Sequence, residues 1–188
     1  MGLLGVTIPE EYGGLGASYV AYGLVAREVE RVDSGYRSMM SVQSSLVMYP
    51  IYAYGTEEQR MKYLPKLASG EWIGCFGLTE PDHGSDTLMT HHPVFHDPGI
   101  KGQCRASLEG DEWVINGQKA SWVSAGTIAT HCSLFCTLDI SMGLAGGGIA
   151  IVPLDLPGVS KGEPLNKIGQ RDLNQGELFF DNVRIPKS

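Results

Sequence analysis

Apolar residues follow two different spacings along the chain. In the first third they recur every three or four positions, for example at Tyr19, Tyr22, Val25 and Val29, which is the period of an amphipathic helix. From Trp72 onward they occur in short runs separated by Gly, Pro and Asp, which is typical of strands and turns. The change predicts a helical module at residues 1–70 and a β module at residues 71–188.

The helical module is predicted to contain three helices. The first includes the periodic positions and ends at Asp33-Ser34-Gly35. The second is predicted from Tyr36 to Tyr54, with an interruption near Pro50 because proline has no backbone N–H to donate.

The third helix carries signals at both ends. Thr56 is its predicted N-cap, and Gln59 occupies the position that completes a capping box. Pro65 is expected to disturb this helix and Gly70 to end it.

The β module has one strong turn signal. Asn116-Gly117 lies between two strand-like runs, and Asn-Gly in such a place predicts a β-hairpin because both residues accept positive φ. Thr90–Gly102 reads as a loop. The other predicted strands are Trp72–Thr79, Cys132–Leu138, Gly148–Pro153 and Glu177–Phe180. Together these features predict an α+β fold, in which a helical segment precedes a small antiparallel barrel or sandwich.

Composition excludes several classes of function. The formal net charge of −7 and the lack of a basic stripe argue against nucleic-acid binding. No apolar stretch is long enough to span a membrane, and no targeting segment is recognised. The expected location is the cytoplasm, or the mitochondrial matrix in a eukaryote.

Cysteine and histidine spacing predicts no metal site. The four cysteines form no CxxC pair, and Cys75, Cys132 and Cys136 lie in apolar runs that favour buried, reduced thiols. His91, His92 and His96 lie in the proline-containing loop, where a solvated surface is favoured over metal ligation.

The stretch with the most chemistry is the end of the first strand. Leu78-Thr79-Glu80-Pro81 breaks abruptly at the proline and leads into Gly84-Ser85-Asp86. The break exposes backbone groups and the Thr79 and Ser85 hydroxyls, which suit a heterocycle rich in donors and acceptors, or a phosphate. The alternative is an ordinary strand followed by an Asx or Ser turn.

This stretch is one of five motifs that resemble, in the same order, the acyl-CoA dehydrogenase family. Together they extend over nearly the whole chain. The five are Ile8-Pro9-Glu10-Glu11-Tyr12-Gly13-Gly14-Leu15-Gly16; Tyr54-Gly55-Thr56-Glu57-Glu58-Gln59-Arg60 with Tyr63-Leu64-Pro65; Leu78-Thr79-Glu80-Pro81 with Gly84-Ser85-Asp86; Asn116-Gly117-Gln118-Lys119; and Asp181-Asn182-Val183-Arg184-Ile185-Pro186.

The resemblance implies FAD as the cofactor and assigns residues to it. Phe76, Gly77, Leu78 and Thr79 are expected along the isoalloxazine, with Thr79 or nearby backbone bonding its pyrimidine edge. Ser85 is expected near both the FAD pyrophosphate and the acyl-CoA.

A second group of flavin-binding residues is expected from Trp122-Val123-Ser124. The Ser124 hydroxyl would approach flavin N5, the atom that accepts hydride. The sequence departs from the family pattern here, because Ala120 and Ser121 both intervene between Lys119 and the aromatic residue. Ser121 is therefore a rival for the hydroxyl role, and Trp122 has the alternative of simple packing.

Around Arg37-Ser38 the chain looks most like glutaryl-CoA dehydrogenase. The resemblance implies that Arg37 and Ser38 contact the substrate, with the guanidinium pairing with the free carboxylate of a dicarboxylic acyl chain. The alternative is a structural ion pair with an acidic neighbour.

The resemblance places no catalytic residue in this chain. In the family the base is a Glu on a C-terminal helical bundle, which is not expected here, and Glu80 belongs to the flavin turn. We therefore expect weak FAD binding and negligible turnover by the chain alone. The parent activity would be α,β-dehydrogenation of an acyl-CoA by a homo-oligomer that passes electrons to an electron-transfer flavoprotein. Alternatives are an acyl-CoA oxidase or flavin monooxygenase on the same scaffold, and a non-catalytic acyl-CoA-binding domain.

Overall fold

The computed structural model describes residues 2–187, and Met1 and Ser188, the outermost residues of the two predicted modules, lie outside them. Helices occupy the first part of the chain: α1 at Tyr19–Val32, α2 at Ser34–Ser41, α3 at Tyr49–Tyr54 and α4 at Glu57–Ser69. Seven strands follow: β1 at Gly74–Gly77, β2 at Arg105–Glu109, β3 at Glu112–Ser124, β4 at His131–Thr137, β5 at Gly147–Pro153, β6 at Val159–Lys161 and β7 at Gln175–Pro186.

The first two helices are separated by one residue. Asp33 is extended, ends α1, and accepts a 2.8 Å hydrogen bond from the Tyr36 N–H as the N-cap of α2. Ser34 and Gly35, predicted as the end of the first helix, thus belong to the second.

The predicted interruption of the second helix lies earlier than Pro50. A π-helical segment at Val42–Met48 joins α2 to α3, and Pro50 is the second residue of α3. The π segment buries Gln43, whose amide donates to the carbonyls of Leu67 and Trp72 and accepts from the Gly74 N–H at 2.7 Å. One side chain thereby connects α4 and β1 to the π segment.

Helix α4 has the predicted ends. Thr56 and Gln59 form both hydrogen bonds of the capping box, and Gly70 ends the helix with φ of 80°. Pro65 does not break the helix, which continues through it to Ser69.

The strands form one sheet in the order β1-β4-β2-β3-β7-β6, with β5 also paired to β4. The α+β class is confirmed. Most pairings are antiparallel as predicted, but β1 and β2 both run parallel to β4. The predicted division at residues 70 and 71 stays a prediction, although the change from helix to strand falls between Ser69 and Gly74.

The predicted hairpin at Asn116-Gly117 is wrong. Strand β3 runs straight through both residues, and the turn lies at Gly110-Asp111, between β2 and β3. At Asn116 the ladder instead contains a bulge, in which β7 has one extra residue and Asn182 adopts φ of 52°. The two asparagine side chains bond across it, and the Asn182 N–H donates to the Asn116 amide oxygen at 2.8 Å.

Apolar residues form two clusters. One lies in the sheet and includes all four cysteines, which are free thiols; burial raises the pKa of Cys104 and of Cys136 to about 12, so these thiols stay protonated. The other joins the N-terminal segment, the π segment and α4. Across residues 2–187 no helix is long and apolar enough to cross a membrane.

Candidate functional site

A polar pocket lies where β1 ends. Thr79 leads into a tight turn in which Glu80 and His83 exchange backbone hydrogen bonds, the Glu80 N–H donating at 2.9 Å. The turn and the neighbouring part of β3 enclose a cavity of about 400 Å³. We call it the rim pocket; it is lined by Thr79, Glu80, Pro81, Asp82, His83, Gly84, Ala120, Ser121 and Trp122.

The opposite wall of the rim pocket is a bulge in β3. Lys119 pairs with Leu178 and Val123 with Gly176, so β3 places two more residues than β7 in this interval. Ser121 takes up the excess with φ of 52°, and Trp122 is 59% exposed. The extra residue noted in the sequence is therefore accommodated in the bulge, and Trp122 is not a buried packing residue.

The two walls are joined by backbone. The Ala120 N–H donates to the Thr79 carbonyl at 2.9 Å. Among residues 2–187 the Thr79 N–H has no protein acceptor. A donor at the edge of a polar cavity is the feature that recognition of a heterocycle requires.

A buried ion pair lies beneath the rim pocket. The side chains of Lys119 and Glu80 are 0% and 2% exposed, and Lys119 Nζ lies 2.7 Å from Glu80 Oε1. Glu80 also accepts from the backbone N–H groups of Gln103 and Cys104, at 2.5 and 3.1 Å. Both oxygens of its carboxylate thus accept hydrogen bonds from the protein. That Glu80 is not the catalytic base stays a prediction.

A histidine–aspartate pair holds the turn from the outside. His83 Nδ1 lies 2.7 Å from Asp86 Oδ2, and Nε2 lies 2.9 Å from the Lys101 carbonyl. Burial lowers the pKa of His83, but the bonds to Asp86 and Lys101 raise it by more, so this pKa lies above its ordinary value. For Asp86, burial raises the pKa and the bond to His83 lowers it by more, with a net decrease.

Of the residues predicted to bind flavin, the structure places some at the rim pocket and others outside its lining. Thr79 and Trp122 line the rim pocket together. Phe76 and Gly77 lie in β1, Leu78 links β1 to the turn, and Val123 is buried in the sheet core. Ser85 is exposed at the start of a short 3-10 turn, outside the residues that line the rim pocket.

Ser124 is the last residue of a chain of hydrogen bonds. Lys167 Nζ donates to Gln175 Oε1 at 3.0 Å, and Gln175 Nε2 donates to Ser124 Oγ at 2.8 Å. The ammonium fixes the orientation of the amide, since only the carbonyl oxygen of Gln175 accepts from it. Ser124 therefore accepts from Gln175 and keeps its own hydrogen for another acceptor.

Arg37 and Ser38 lie on α2 and do not line the rim pocket. Arg37 Nε contacts Glu30 Oε2 at 2.6 Å, and one guanidinium nitrogen donates to Ser41 Oγ at 3.3 Å. The structural ion pair that we considered as the alternative is thus present. The substrate role of Arg37 and Ser38 stays a prediction.

Sequence reasoning assigned no role to Lys119, His83, Asp86 or Gln175, although Lys119 and Asp86 lie in two of the family motifs. Lys119 carried a signal, because it is a lysine between core positions of a strand, where a charge needs a partner. The partners are distant in sequence, and nothing local identifies them. Within residues 2–187 no cluster of three or more His, Cys, Asp or Glu is suited to a metal, and His91, His92 and His96 are exposed.

Comparison with known families matches two consecutive models. The acyl-CoA dehydrogenase N-terminal domain matches residues 1–71, and the acyl-CoA dehydrogenase middle domain matches residues 75–183. The second match alone covers more than half of the chain.

Three similar proteins illustrate the relationship. Human mitochondrial short-chain specific acyl-CoA dehydrogenase is 35% identical over 187 residues, which are 100% of this chain and 42% of that protein. The structure of a Mycobacterium smegmatis glutaryl-CoA dehydrogenase in complex with FADH2 superposes with a TM-score of 0.84 at 41% identity, covering 100% of this chain and 44% of that one. Butyryl-CoA dehydrogenase from Megasphaera elsdenii gives a TM-score of 0.87 at 31% identity, with coverages of 99% and 46%. The chain thus spans less than half the length of these relatives.

Proposed function

The chain belongs to the acyl-CoA dehydrogenase family, and from this premise we propose that it holds the flavin and the acyl thioester in FAD-dependent α,β-dehydrogenation of an acyl-CoA. The observation that carries the proposal is the rim pocket, in which Thr79 and Trp122, 43 positions apart in sequence, line one polar cavity. Its volume of about 400 Å³ falls within the ~300–1,000 Å³ that is usual for small-molecule sites.

The residues of the rim pocket fit an isoalloxazine ring. The pyrimidine edge of the ring presents oxygen and nitrogen acceptors, and the Thr79 N–H is a donor without a protein acceptor among residues 2–187. The exposed Trp122 supplies an aromatic ring for contact with a planar system, and Ser121 supplies a hydroxyl. The related glutaryl-CoA dehydrogenase was solved with FADH2, which supports the same cofactor here.

Bound FAD would supply the acceptor for the hydride that leaves the β-carbon of the substrate. The contribution of this chain is to bind and orient. We propose that Ser124 donates its hydroxyl hydrogen toward flavin N5. The serine oxygen already accepts a hydrogen bond from the Gln175 amide, and Lys167 fixes the orientation of that amide. We assign no catalytic base among the site residues of this chain.

The wider setting is also proposed from the family. The parent enzyme would be a homo-oligomer that transfers electrons to an electron-transfer flavoprotein. We propose the cytoplasm as its location, or the mitochondrial matrix in a eukaryote; the human relative is a mitochondrial protein.

The flavin proposal is tested by NMR, which detects weak binding. FAD is titrated into the ¹⁵N-labelled chain, with ADP as a ligand that lacks the isoalloxazine. FAD should shift the Thr79 amide and the Trp122 indole N–H, whereas ADP should leave both unmoved. The proposal fails if FAD shifts neither signal, or if ADP reproduces the same shifts.

For the substrate we propose a dicarboxylic acyl-CoA such as glutaryl-CoA. The supporting observation is Arg37, whose side chain is 32% exposed and therefore reachable from solvent, although Glu30 now neutralises it. A substrate carboxylate would have to replace or share that contact, and a guanidinium accommodates a carboxylate in a bidentate geometry.

This proposal is tested by acyl-CoA binding to Arg37→Met. Losing a charge-assisted bond of about 1.5–3 kcal/mol should weaken glutaryl-CoA binding by roughly 10- to 100-fold in calorimetry, with butyryl-CoA affected much less. Arg31→Met is the matched control, because Arg31 forms an exposed ion pair with Glu28 on α1. Equal losses for both esters would make Arg37 a scaffold residue.

A further inference from the structure

Lys119 makes two hydrogen bonds, and only one of them neutralises its charge. Its Nζ donates to Glu80 Oε1 at 2.7 Å and to the carbonyl oxygen of Leu78 at 3.2 Å. That carbonyl belongs to the same peptide group as the Thr79 N–H. No cis peptide bond occurs in residues 2–187, so this N–H points away from the ammonium.

A buried cation on a carbonyl changes the donor at the other end of the peptide. Hydrogen bonding to the oxygen draws electron density from the nitrogen and makes the N–H a stronger donor, an effect that grows in a region of low dielectric. Lys119 is fully buried, so water does not screen it. The polarised N–H is the one at the edge of the rim pocket.

A purely structural role explains the ion pair of Lys119 and Glu80 less well than an effect on the Thr79 N–H does. A buried ion pair is weak evidence for stability, because desolvating both charges offsets most of their attraction.

The Lys119 side chain passes close to Gly77 of β1, where there is no side chain to block it. A Cβ built on Gly77 would lie 3.2 Å from Lys119 Cγ and 2.9 Å from Leu134 Cδ1. The stem of Lys119 therefore runs across β1 at a position without a side chain, and this path brings the ammonium to the carbonyl of Leu78.

We propose that Lys119 is a positioning residue that acts through the Leu78 carbonyl, orienting and polarising the Thr79 N–H as the donor to the pyrimidine edge of the flavin. Glu80 holds the ammonium of Lys119 in place through the 2.7 Å ion pair. The inference rests on the proposed function, and it adds to that function the residue pair that sets the strength of the flavin contact.

The experiment compares the wild-type 188-residue chain with the double variant Lys119→Met/Glu80→Gln. The double variant removes both charges and keeps an amide oxygen as acceptor for one of the two N–H groups that Glu80 now satisfies, those of Gln103 and Cys104. It thereby avoids the unpaired buried charge that would destabilise either single variant. The control is Lys161→Met, since Lys161 Nζ donates to the Ala129 carbonyl at 2.6 Å, outside the rim pocket.

Two quantities are measured in each protein. The first is the amide ¹⁵N chemical shift of the residue that follows the carbonyl bonded by the lysine, which is Thr79 for Lys119 and Thr130 for Lys161. The second is the Kd for FAD. In the double variant the Thr79 resonance should move, and FAD should bind about fivefold to tenfold more weakly, the difference between a charge-assisted and an ordinary hydrogen bond. In Lys161→Met the Thr130 resonance should move while the Kd for FAD stays unchanged.

The outcomes separate this inference from the proposed function. If FAD shifts Thr79 equally in the wild type and the double variant, with the same Kd, the role of Lys119 is overturned and the flavin site stands. If FAD shifts neither the Thr79 amide nor the Trp122 indole of the wild type, the proposed function fails. If FAD shifts Trp122 alone, the flavin site stands, and the donor role of Thr79 and the positioning role of Lys119 are overturned. A Thr79 resonance that is unchanged in the double variant overturns the polarisation whatever FAD does.

Discussion

At the scale of single residues, we expect the buried charges of Lys119 and Glu80 under the rim pocket to have the largest effect on stability. Lys119 alone replaced by Met would leave the Glu80 carboxylate buried without its cation, which should cost about 3–5 kcal/mol of unfolding free energy. Lys119→Met/Glu80→Gln should recover most of that loss, because no charge remains in the core. Urea denaturation of the wild type, both single variants and the double variant gives the coupling energy. Additive losses would show that the two charges are not coupled.

The pair of His83 and Asp86 predicts a pH dependence of stability. The folded-state pKa of His83 is raised, so its contribution is complete below the unfolded value of about 6.5 and is lost as the pH rises through the folded value. The pKa of Asp86 is lowered, so its contribution is present above an unfolded value of about 3.9 and is lost as the pH falls through the folded value.

The test is the melting temperature of the wild type and of His83→Gln across the range from acid to mildly alkaline pH. The wild type should exceed the variant most between the two unfolded pKa values, and its advantage should shrink as His83 loses its proton. His96→Gln is the control, because His96 is exposed. A difference between wild type and His83→Gln that stays constant with pH would contradict the titration of His83.

At the scale of secondary-structure elements, the bulges of the sheet are more informative than its regular strands. Gly117 has φ of 135°, and a Cβ there would lie 2.6 Å from the Cα of Cys104, a backbone atom that cannot rotate away. Gly117→Ala should therefore destabilise the chain by about 2–4 kcal/mol, from unfavourable backbone geometry and a collision.

Gly110→Ala is the matched control for this prediction. Gly110 also has positive φ, of 63°, but a Cβ there would meet no atom within 4 Å. Gly110→Ala should therefore lower the unfolding free energy by only about 1 kcal/mol, which is the cost of the positive φ alone. Equal losses of unfolding free energy in the two variants would show that the close approach of Gly117 to Cys104 carries no energy.

At the scale of the whole molecule, the outer face of α1 is apolar and exposed. The helix buries none of its residues: its Leu24 and Val32 are 51% and 88% exposed, and the neighbouring Tyr36 of α2 is 63% exposed. They lie along a groove of about 590 Å³ whose lining is Leu3, Leu24, Val25, Glu28, Val29, Val32, Asp33 and Tyr36. Exposed apolar surface of this kind promotes association.

We expect the chain to self-associate as its concentration rises, through this groove. Leu24→Glu/Val32→Glu should shift sedimentation equilibrium toward the monomer, because a charge in an apolar contact is costly. Val20→Glu is the control: Val20 is 74% exposed on the same helix but does not line the groove. A wild type that stays monomeric at high concentration, or equal effects of the two sets of variants, would contradict the prediction.

The sequence by itself determined the features whose causes are local. The capping box of Thr56 and Gln59 connects residues three apart, so pattern alone located the start of α4. The order of helices before strands and the family motifs follow from short runs of residues in the same way. Local signals also misled: Asn116-Gly117 meets the requirements of a hairpin turn and of a bulge equally, and only the neighbouring strand β7 selects the bulge.

Tertiary structure alone decided the site. Thr79 and Trp122 line the same pocket, Glu80 pairs with Lys119, and Lys167 is linked to Ser124 through Gln175. Each arrangement joins segments that are far apart in sequence or on different strands. The energy of a buried charge depends on the partner that the fold brings to it, not on its neighbours in sequence. For the same reason the sequence named Arg37 as a charge in need of a partner, and only the fold supplied Glu30.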